Sequence, residues 1–216
     1  MFFWLLKHVL LGPFLRLLFR PKVTGTVPRG PAIIAANHLS FCDSLFLPLV
    51  VPGQLVFIGK DDYFVRTGIK GRLMAAFFRG VGTIPVDRSG GSEAADALTT
   101  ALRVLQEGRL FGIYPEGTRS PDGRLYRGKT GVARLAVESG APVYPCALVG
   151  TAEIQPTGYR MPRKIMRVGV RFGEPLTYGS EADLRKVTDE IVAAIQALSG
   201  QEYVDVYASS LKVKKG

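Results

Sequence analysis

The sequence predicts an α/β domain with a central, largely parallel sheet flanked by helices, preceded by a helical segment at the N-terminus. Three observations carry this. Short apolar runs alternate along the chain with stretches of helical periodicity, the order that builds parallel sheets from strand–helix–strand units. Several of those runs end in polar clusters that a strand itself does not need. With 216 residues, 47% of them hydrophobic and 21% charged, the chain is long and apolar enough to form one ordinary domain core.

Taken in order, the first twenty residues crowd Phe, Trp, Leu and Val between Lys7, His8 and Arg16. The charges interrupt the ~18 apolar residues that a membrane span needs, and they follow the apolar start instead of preceding it as in a signal peptide. Residues 1–22 therefore read as a membrane-interface helical segment with an expected break at Gly12-Pro13, or as a helix packed on the protein's own core. Residues 23–216 form the α/β domain, with no repeat and no dividing linker. Ala32–Ala36 suits a buried strand, and Ser40 is placed to cap the helix that follows. Gly82–Val86 reads as a strand, after which Ser92 caps a helix presenting Leu98, Ala101, Leu102 and Leu105 and closing at Gly108. Leu110–Tyr114 is a strand, Val132–Ser139 a helix ended by Gly140, and Val143–Val149 and Val168–Phe172 are strands. Ser180-x-x-Asp183 opens a last helix with Leu184, Val187, Ile191, Ile195 and Leu198 on one side.

The charge sum is 28 Lys+Arg against 18 Asp+Glu, a net +10. Four stretches contain bases and no acid: Met1 to Cys42, Tyr63 to Val86, Ile154 to Gly173, and the tail with Lys212, Lys214 and Lys215. Nucleic acid and anionic lipid are both partners for such a surface. A nucleic-acid module leaves the aromatic N-terminus unexplained, so the reading favours an anionic membrane surface and no nucleic acid. Cys42 and Cys146 are too few for a disulfide framework, and with only His8 and His38 a multi-histidine metal site is impossible.

Chemistry concentrates at three strand ends. In Asn37-His38-Leu39-Ser40-Phe41-Cys42-Asp43 an imidazole, which titrates near neutral pH, stands five residues before a carboxylate that folds back after one turn. That is the acid–histidine half of a triad, with Asp43 fixing the tautomer and stabilising imidazolium. Ser40-x-x-Asp43 is equally a capping box, in which Asp43 accepts a backbone N–H, and the spacing alone leaves both open. In Tyr114-Pro115-Glu116-Gly117-Thr118-Arg119-Ser120, Gly117 permits close backbone approach and Arg119 offers a donor fork that fits phosphate. Glu116 is positioned to hold that arginine or to accept from a substrate hydroxyl. Gly82 to Arg88 ends a strand in Asp87-Arg88, a second phosphate-binding candidate.

Residues Gly123 to Thr130 satisfy the G-x4-G-K-[ST] phosphate-loop pattern, but Ser120-Pro121-Asp122 separates them from the strand and their bulk is wrong for a cradle. Cys42 reads as a small buried helix residue, not as a nucleophile.

Together the blocks resemble the glycerophospholipid acyltransferase family, in particular its 1-acyl-glycerol-3-phosphate (lysophosphatidic acid) acyltransferases. The N-H-x4-D block stands at Asn37, His38 and Asp43, a G-x-I-x-x-D-R-like block at Gly82 to Arg88, and the F-P-E-G-T-R-S block at Tyr114 to Ser120, with Tyr114 for the usual Phe. The proline-containing apolar block is Ala141 to Pro145, and the resemblance runs from about Val23 to Leu198. It implies that His38 is the general base on the acceptor hydroxyl and Asp43 its partner. Arg88, Glu116, Gly117, Thr118 and Arg119, with Lys60, would bind the acceptor's phosphoglycerol head. The donor would be acyl-CoA or acyl carrier protein and the product phosphatidic acid, with no metal and no cofactor. The acceptor would be a lysophospholipid, glycerol-3-phosphate and glycolipids being alternatives; a catalytically silent membrane-surface protein is the non-enzyme reading. The expected place is monotopic, on the cytoplasmic face of the cell membrane, with an acyl tunnel lined by Phe64, Ile69, Leu73, Met74, Phe77 and Phe78.

Overall fold

The structure, a computed structural model, describes residues 2–60, 68, 71–72, 82–86, 93–159 and 161–211. Strands β1 (Lys22–Thr24), β2 (Ala32–Ala36), β3 (Leu55–Lys60), β4 (Thr83–Val86), β5 (Leu110–Ile113), β7 (Val143–Val149) and β8 (Gly169–Phe172) form one sheet of order β1-β8-β7-β2-β5-β3-β4. Every pairing in it is parallel except β7 with β8. A small second sheet pairs β6 (Leu125–Tyr126) with β9 (Tyr203–Val204).

The central strand β2 is buried at all of its positions because both faces of the sheet are covered, which is why AIIAA is apolar without alternation. Its side chains divide between two cores. Ala32, Ile34 and Ala36 face the N-terminal helix and helix α3 (Asp43–Val50), meeting Leu15, Phe19, Phe46 and Leu47. Ile33 and Ala35 face helices α4 (Glu93–Gln106), α5 (Gly131–Ser139) and, beyond the short α6 (Thr151–Ile154), α7 (Leu184–Ser199), meeting Val104, Leu135 and Ile191.

The N-terminal segment stays helical through the expected break: α1 (Phe2–Leu5), a π-helical turn over Leu6–Leu10, then α2 (Leu11–Phe19). The wide turn, not a break, accommodates Gly12-Pro13. It also brings the Lys7 carbonyl to within 1.7 Å of where a Cβ on residue 12 would lie, so only glycine fits. Gly12→Ala, favourable on helix propensity alone, is therefore expected to cost about 1–3 kcal/mol by overpacking, read as a lowered midpoint in thermal unfolding.

Lys7 does not join a basic surface. Its ammonium turns inward, donating to the carbonyls of Val51 and Gly53, and burial together with the charge of Arg16 lowers its pKa to about 8. Arg16 in turn donates to the Leu49 carbonyl. Leu15 and Phe19 belong to the core, so the segment is half core helix and half exposed surface, with Trp4, Val9, Leu10, Phe14 and Leu17 facing out. A boundary at residue 22 cuts through β1, whose Lys22, Val23 and Thr24 pair with Gly169, Val170 and Arg171.

Other departures are local. The N-cap position of α3 falls at Cys42, whose N–H Ser40 Oγ accepts at 3.2 Å, so the Ser40-x-x-Asp43 box closes just ahead of the helix; that of α7 is Asp183, whose carboxylate accepts from Arg185 and Lys186 N–H, not Ser180. Strands β1, β3, β6 and β9 lie outside the sequence expectation. The first is three exposed residues, and the second sits in an apolar stretch, Leu45 to Ile58, whose helix–strand boundary only pairing decides. Ser92 lies outside the described residues.

Candidate active site

Strands β2 and β5 are parallel neighbours, with Ala35 opposite Ile113, so the loops leaving their C-terminal ends run side by side. They are tied together. Ser120 N–H donates to the His38 carbonyl at 2.7 Å, and His38 N–H donates to Glu116 Oε1 at 3.1 Å. This is the strand-end position at which open parallel sheets gather functional groups.

His38 Nδ1 lies 2.9 Å from Asp43 Oδ2, with the imidazole 17% exposed and the carboxylate fully buried. A carboxylate only accepts, so Nδ1 carries the proton and Nε2 keeps its lone pair free. The same Oδ2 accepts the N–H groups of Leu39 at 2.6 Å and Ser40 at 2.7 Å. Capping box and acid–histidine pair, alternatives on spacing alone, are one arrangement: the backbone bonds that start α3 also hold the carboxylate against the imidazole.

The ring of Tyr114 stacks on His38 at 3.9 Å between centroids with planes 8° apart, and Phe57 stacks behind it at 5.4 Å. The phenol hydroxyl reaches Ser44 Oγ at 3.2 Å. The imidazole is thus fixed by a hydrogen bond at one edge and by a rigid aromatic plane on one face, and burial pushes the phenol's pKa well up, so it stays neutral.

Glu116 is 1% exposed, and its carboxylate spans two loops, Oε1 on His38 N–H and Oε2 on Tyr126 N–H at 3.0 Å. Burial raises its pKa to about 7 against the pull of those two bonds. Its oxygens are engaged by backbone, an arrangement that braces the histidine. Glu116→Gln can accept only one of the two N–H groups, so kcat should fall about tenfold while KM for the acceptor changes little. A purely acceptor-binding role would raise KM instead. A folded-state pKa above the ordinary 4.5 means that the native state holds the proton longer. The wild type should therefore lose stability relative to Glu116→Gln as pH rises from about 4.5 to 7, measured by parallel denaturant titrations.

Gly117 has φ +71°, and a Cβ there would meet the Lys129 side chain at 3.2 Å. The turn over Gly117, Thr118 and Arg119 is thus packed along a lysine stem, and Thr118 and Arg119 are half-buried beside it. Lys129 belongs to the phosphate-loop look-alike, whose Leu125 and Tyr126 are instead buried in a strand and whose Gly128 abuts Val192 and Thr188. Arg88 lies outside the described residues, as do the six residues expected to line an acyl tunnel; Lys60 ends β3, with only its backbone described.

Sequence reasoning missed a bracing layer. Asn37 exchanges hydrogen bonds with the backbone of Leu148 and donates to Gln201, which donates to the Gly123 carbonyl. Gln155 accepts from Ser40 Oγ through its carbonyl and from the Cys42 thiol through its side chain. Burial raises the pKa of Cys42, which suits a packed thiol and not a thiolate nucleophile. Gln155 and Gln201 come from distant loops without a local pattern, so only Asn37, adjacent to His38, carried a signal.

Residues 20–149 match the family model described as Acyltransferase, and the chain belongs to that family. It is 35% identical over 154 residues to a chloroplastic 1-acyl-sn-glycerol-3-phosphate acyltransferase of Brassica napus, covering 71% of this chain and 43% of the relative. The chain thus spans under half the length of that plant enzyme. The 1-acyl-sn-glycerol-3-phosphate acyltransferase of Bacillus subtilis is 27% identical over 169 residues, 77% of each chain. The fold matches the crystal structure of the 1-acyl-sn-glycerophosphate acyltransferase PlsC from Thermotoga maritima with TM-score 0.66 and 28% identity, over 87% of this chain and 75% of that one.

Proposed function

We propose that the protein transfers a fatty acyl group from an acyl thioester, acyl-CoA or acyl carrier protein, to the free hydroxyl of 1-acyl-glycerol-3-phosphate, giving phosphatidic acid. The observation that carries this reading is the His38–Asp43 pair with Nε2 left free, set beside the Gly117–Arg119 turn in a chain of the Acyltransferase family. Nε2 takes the hydroxyl proton as the oxygen attacks the thioester carbonyl, and Asp43 stabilises the imidazolium formed. The tetrahedral intermediate then expels the thiolate, which recovers the proton from His38. The thioester is already activated, so the chain need only position reactants and move one proton. Arg119 binds the acceptor phosphate as a donor fork with the Gly117 and Thr118 backbone and Lys129 nearby; Arg88 and Lys60 complete the cationic set, while Glu116, expected among the binding residues, holds the turn through its two backbone bonds.

A shallow apolar groove of about 30 Å³ between the N-terminal helix and α3 supports a surface against which an acyl chain can lie. Leu6, Leu11, Leu15, Leu45 and Leu49 line it, and it reaches Ser44, next to Asp43. Among the described residues no helix is long and apolar enough to cross a membrane. The protein docks on an anionic leaflet, on the cytoplasmic face of the cell membrane, through Trp4, Val9, Leu10, Phe14 and Leu17.

Incubating the purified protein with labelled acyl thioesters and a panel of lysophospholipid, glycerol-3-phosphate and glycolipid acceptors, with products identified by mass, tests the reaction. A phosphatidic acid product supports it, and absence of any transfer sinks it. Leu10→Ser/Phe14→Ser/Leu17→Ser should weaken sedimentation with anionic vesicles at least tenfold and reduce turnover of bilayer lysolipid, leaving turnover of a short-chain soluble acceptor.

A further inference from the structure

The segment from Ile154 to Gly173 contains bases and no acid, and neither the catalytic pair nor the acceptor-binding turn uses it. Residues 161–167, Met-Pro-Arg-Lys-Ile-Met-Arg, have no regular secondary structure, and every one is exposed. Met161 is 73% and Ile165 65% exposed, with Tyr159 and Met166 also out in solvent. A loop that only connects two strands has no need of that much apolar bulk in water, and polar residues would serve it better.

Both ends of the loop are anchored. At its start, Thr157 Oγ1 donates to the Ser120 carbonyl at 2.9 Å, Gln155 holds Ser40 and Cys42, and Arg163 N–H donates to the Ile154 carbonyl at 2.6 Å. These bonds attach it to the two loops that carry His38 and Arg119. The Arg163 guanidinium lies 4.6 Å over the Tyr159 ring, which stiffens the base of the loop. At its far end, Val168 N–H donates to the Phe19 carbonyl and Lys22 N–H to the Val168 carbonyl. The loop therefore runs from the active-site rim to the last turn of the N-terminal helix. Leu17, 71% exposed, stands two residues before that junction.

We infer that Tyr159 and residues 161–167 are a second membrane-docking element, seating the rim of the active site on the bilayer that the N-terminal helix already engages. This rests on the membrane reading above and adds a surface to it. The occupant is an anionic bilayer: Arg163, Lys164 and Arg167 match its headgroups, while Met161, Ile165 and Met166 are spaced among them to enter the acyl boundary. The loop is tied to the active-site rim at one end and joined to the N-terminal helix at the other, so both contacts hold the mouth beside His38 at the lipid and a single-chain acceptor reaches it without crossing water.

The test uses the full chain carrying Trp4→Phe and Ile165→Trp, which places the sole tryptophan in the loop. It is mixed with vesicles of phosphatidylcholine and phosphatidylglycerol whose acyl chains are brominated. Docking predicts indole emission shifted to shorter wavelength and quenched by the bromines. Sedimentation with those vesicles, with the indole unquenched at its water position, would overturn this inference and leave the membrane reading standing. Failure of the wild type to sediment would remove both. In a second arm, Met161→Ser/Ile165→Ser should weaken vesicle partition about tenfold, and Arg163→Gln/Lys164→Gln/Arg167→Gln about a hundredfold, each with an unchanged unfolding midpoint. Unchanged partition in both variants, or binding of a labelled oligonucleotide through the loop with no quenching, would also overturn it.

Discussion

His38→Ala lowers turnover by about 10²-fold or more while the protein stays folded and keeps its hold on vesicles. The size follows from the geometry: Nε2 is the free lone pair at the strand end, and the other histidine, His8, belongs to the N-terminal helix, where its ring lies 5.4 Å from that of Trp4. The imidazole is anchored at Asp43 and on the Tyr114 ring, and its loss leaves Glu116 and Ser120 bonded to backbone that alanine retains. Fold and membrane affinity are therefore expected to survive. Thioester consumption measured on saturating donor and acceptor decides the matter, and near-normal turnover in a folded variant would remove His38 from the role of base.

Asp43→Asn is expected to cost on the order of 10²-fold in turnover with a much smaller loss of stability. The amide oxygen can still accept from Leu39 and Ser40 N–H, so the start of α3 persists, but an amide cannot stabilise imidazolium. Asp43→Ala differs in kind. It leaves two buried N–H groups without an acceptor, at about 1–3 kcal/mol each, and should lower stability as well as activity. Comparing the two variants in one denaturant series and one rate assay separates the cap from the catalytic partner. Wild-type turnover in folded Asp43→Asn would assign Asp43 to the cap alone.

The same structure changes what truncation tests. Deleting the N-terminal segment to probe membrane binding would also remove Leu15 and Phe19 from the core and the Lys7 ammonium from the Val51 and Gly53 carbonyls. Substitution on its outer face keeps those contacts and is the cleaner experiment.

Most strands were legible because their apolar runs are bounded by Gly or polar residues: Ala32–Ala36 and Val143–Val149 match residue for residue. The five-residue spacing of His38 and Asp43 limited the carboxylate to two arrangements, and the resemblance of the surrounding block favoured the pair. Edge strand β1 was not, since three exposed residues carry no period, and its pairing with β8 depends on a partner almost 150 residues away. The bracing of Asn37 by Gln201, and of Ser40 and Cys42 by Gln155, likewise joins groups more than 100 positions apart.

By itself the sequence determined the α/β class, the central strands and the residue types at the strand ends, because these depend on local periodicity and short-range spacing. The direction in which Lys7 points, the hold of Glu116 on backbone, and the service of one carboxylate oxygen to both cap and imidazole came from tertiary packing. Those outcomes depend on where carbonyls and N–H groups from other elements arrive, and a buried polar group takes whichever partner the packed chain presents to it.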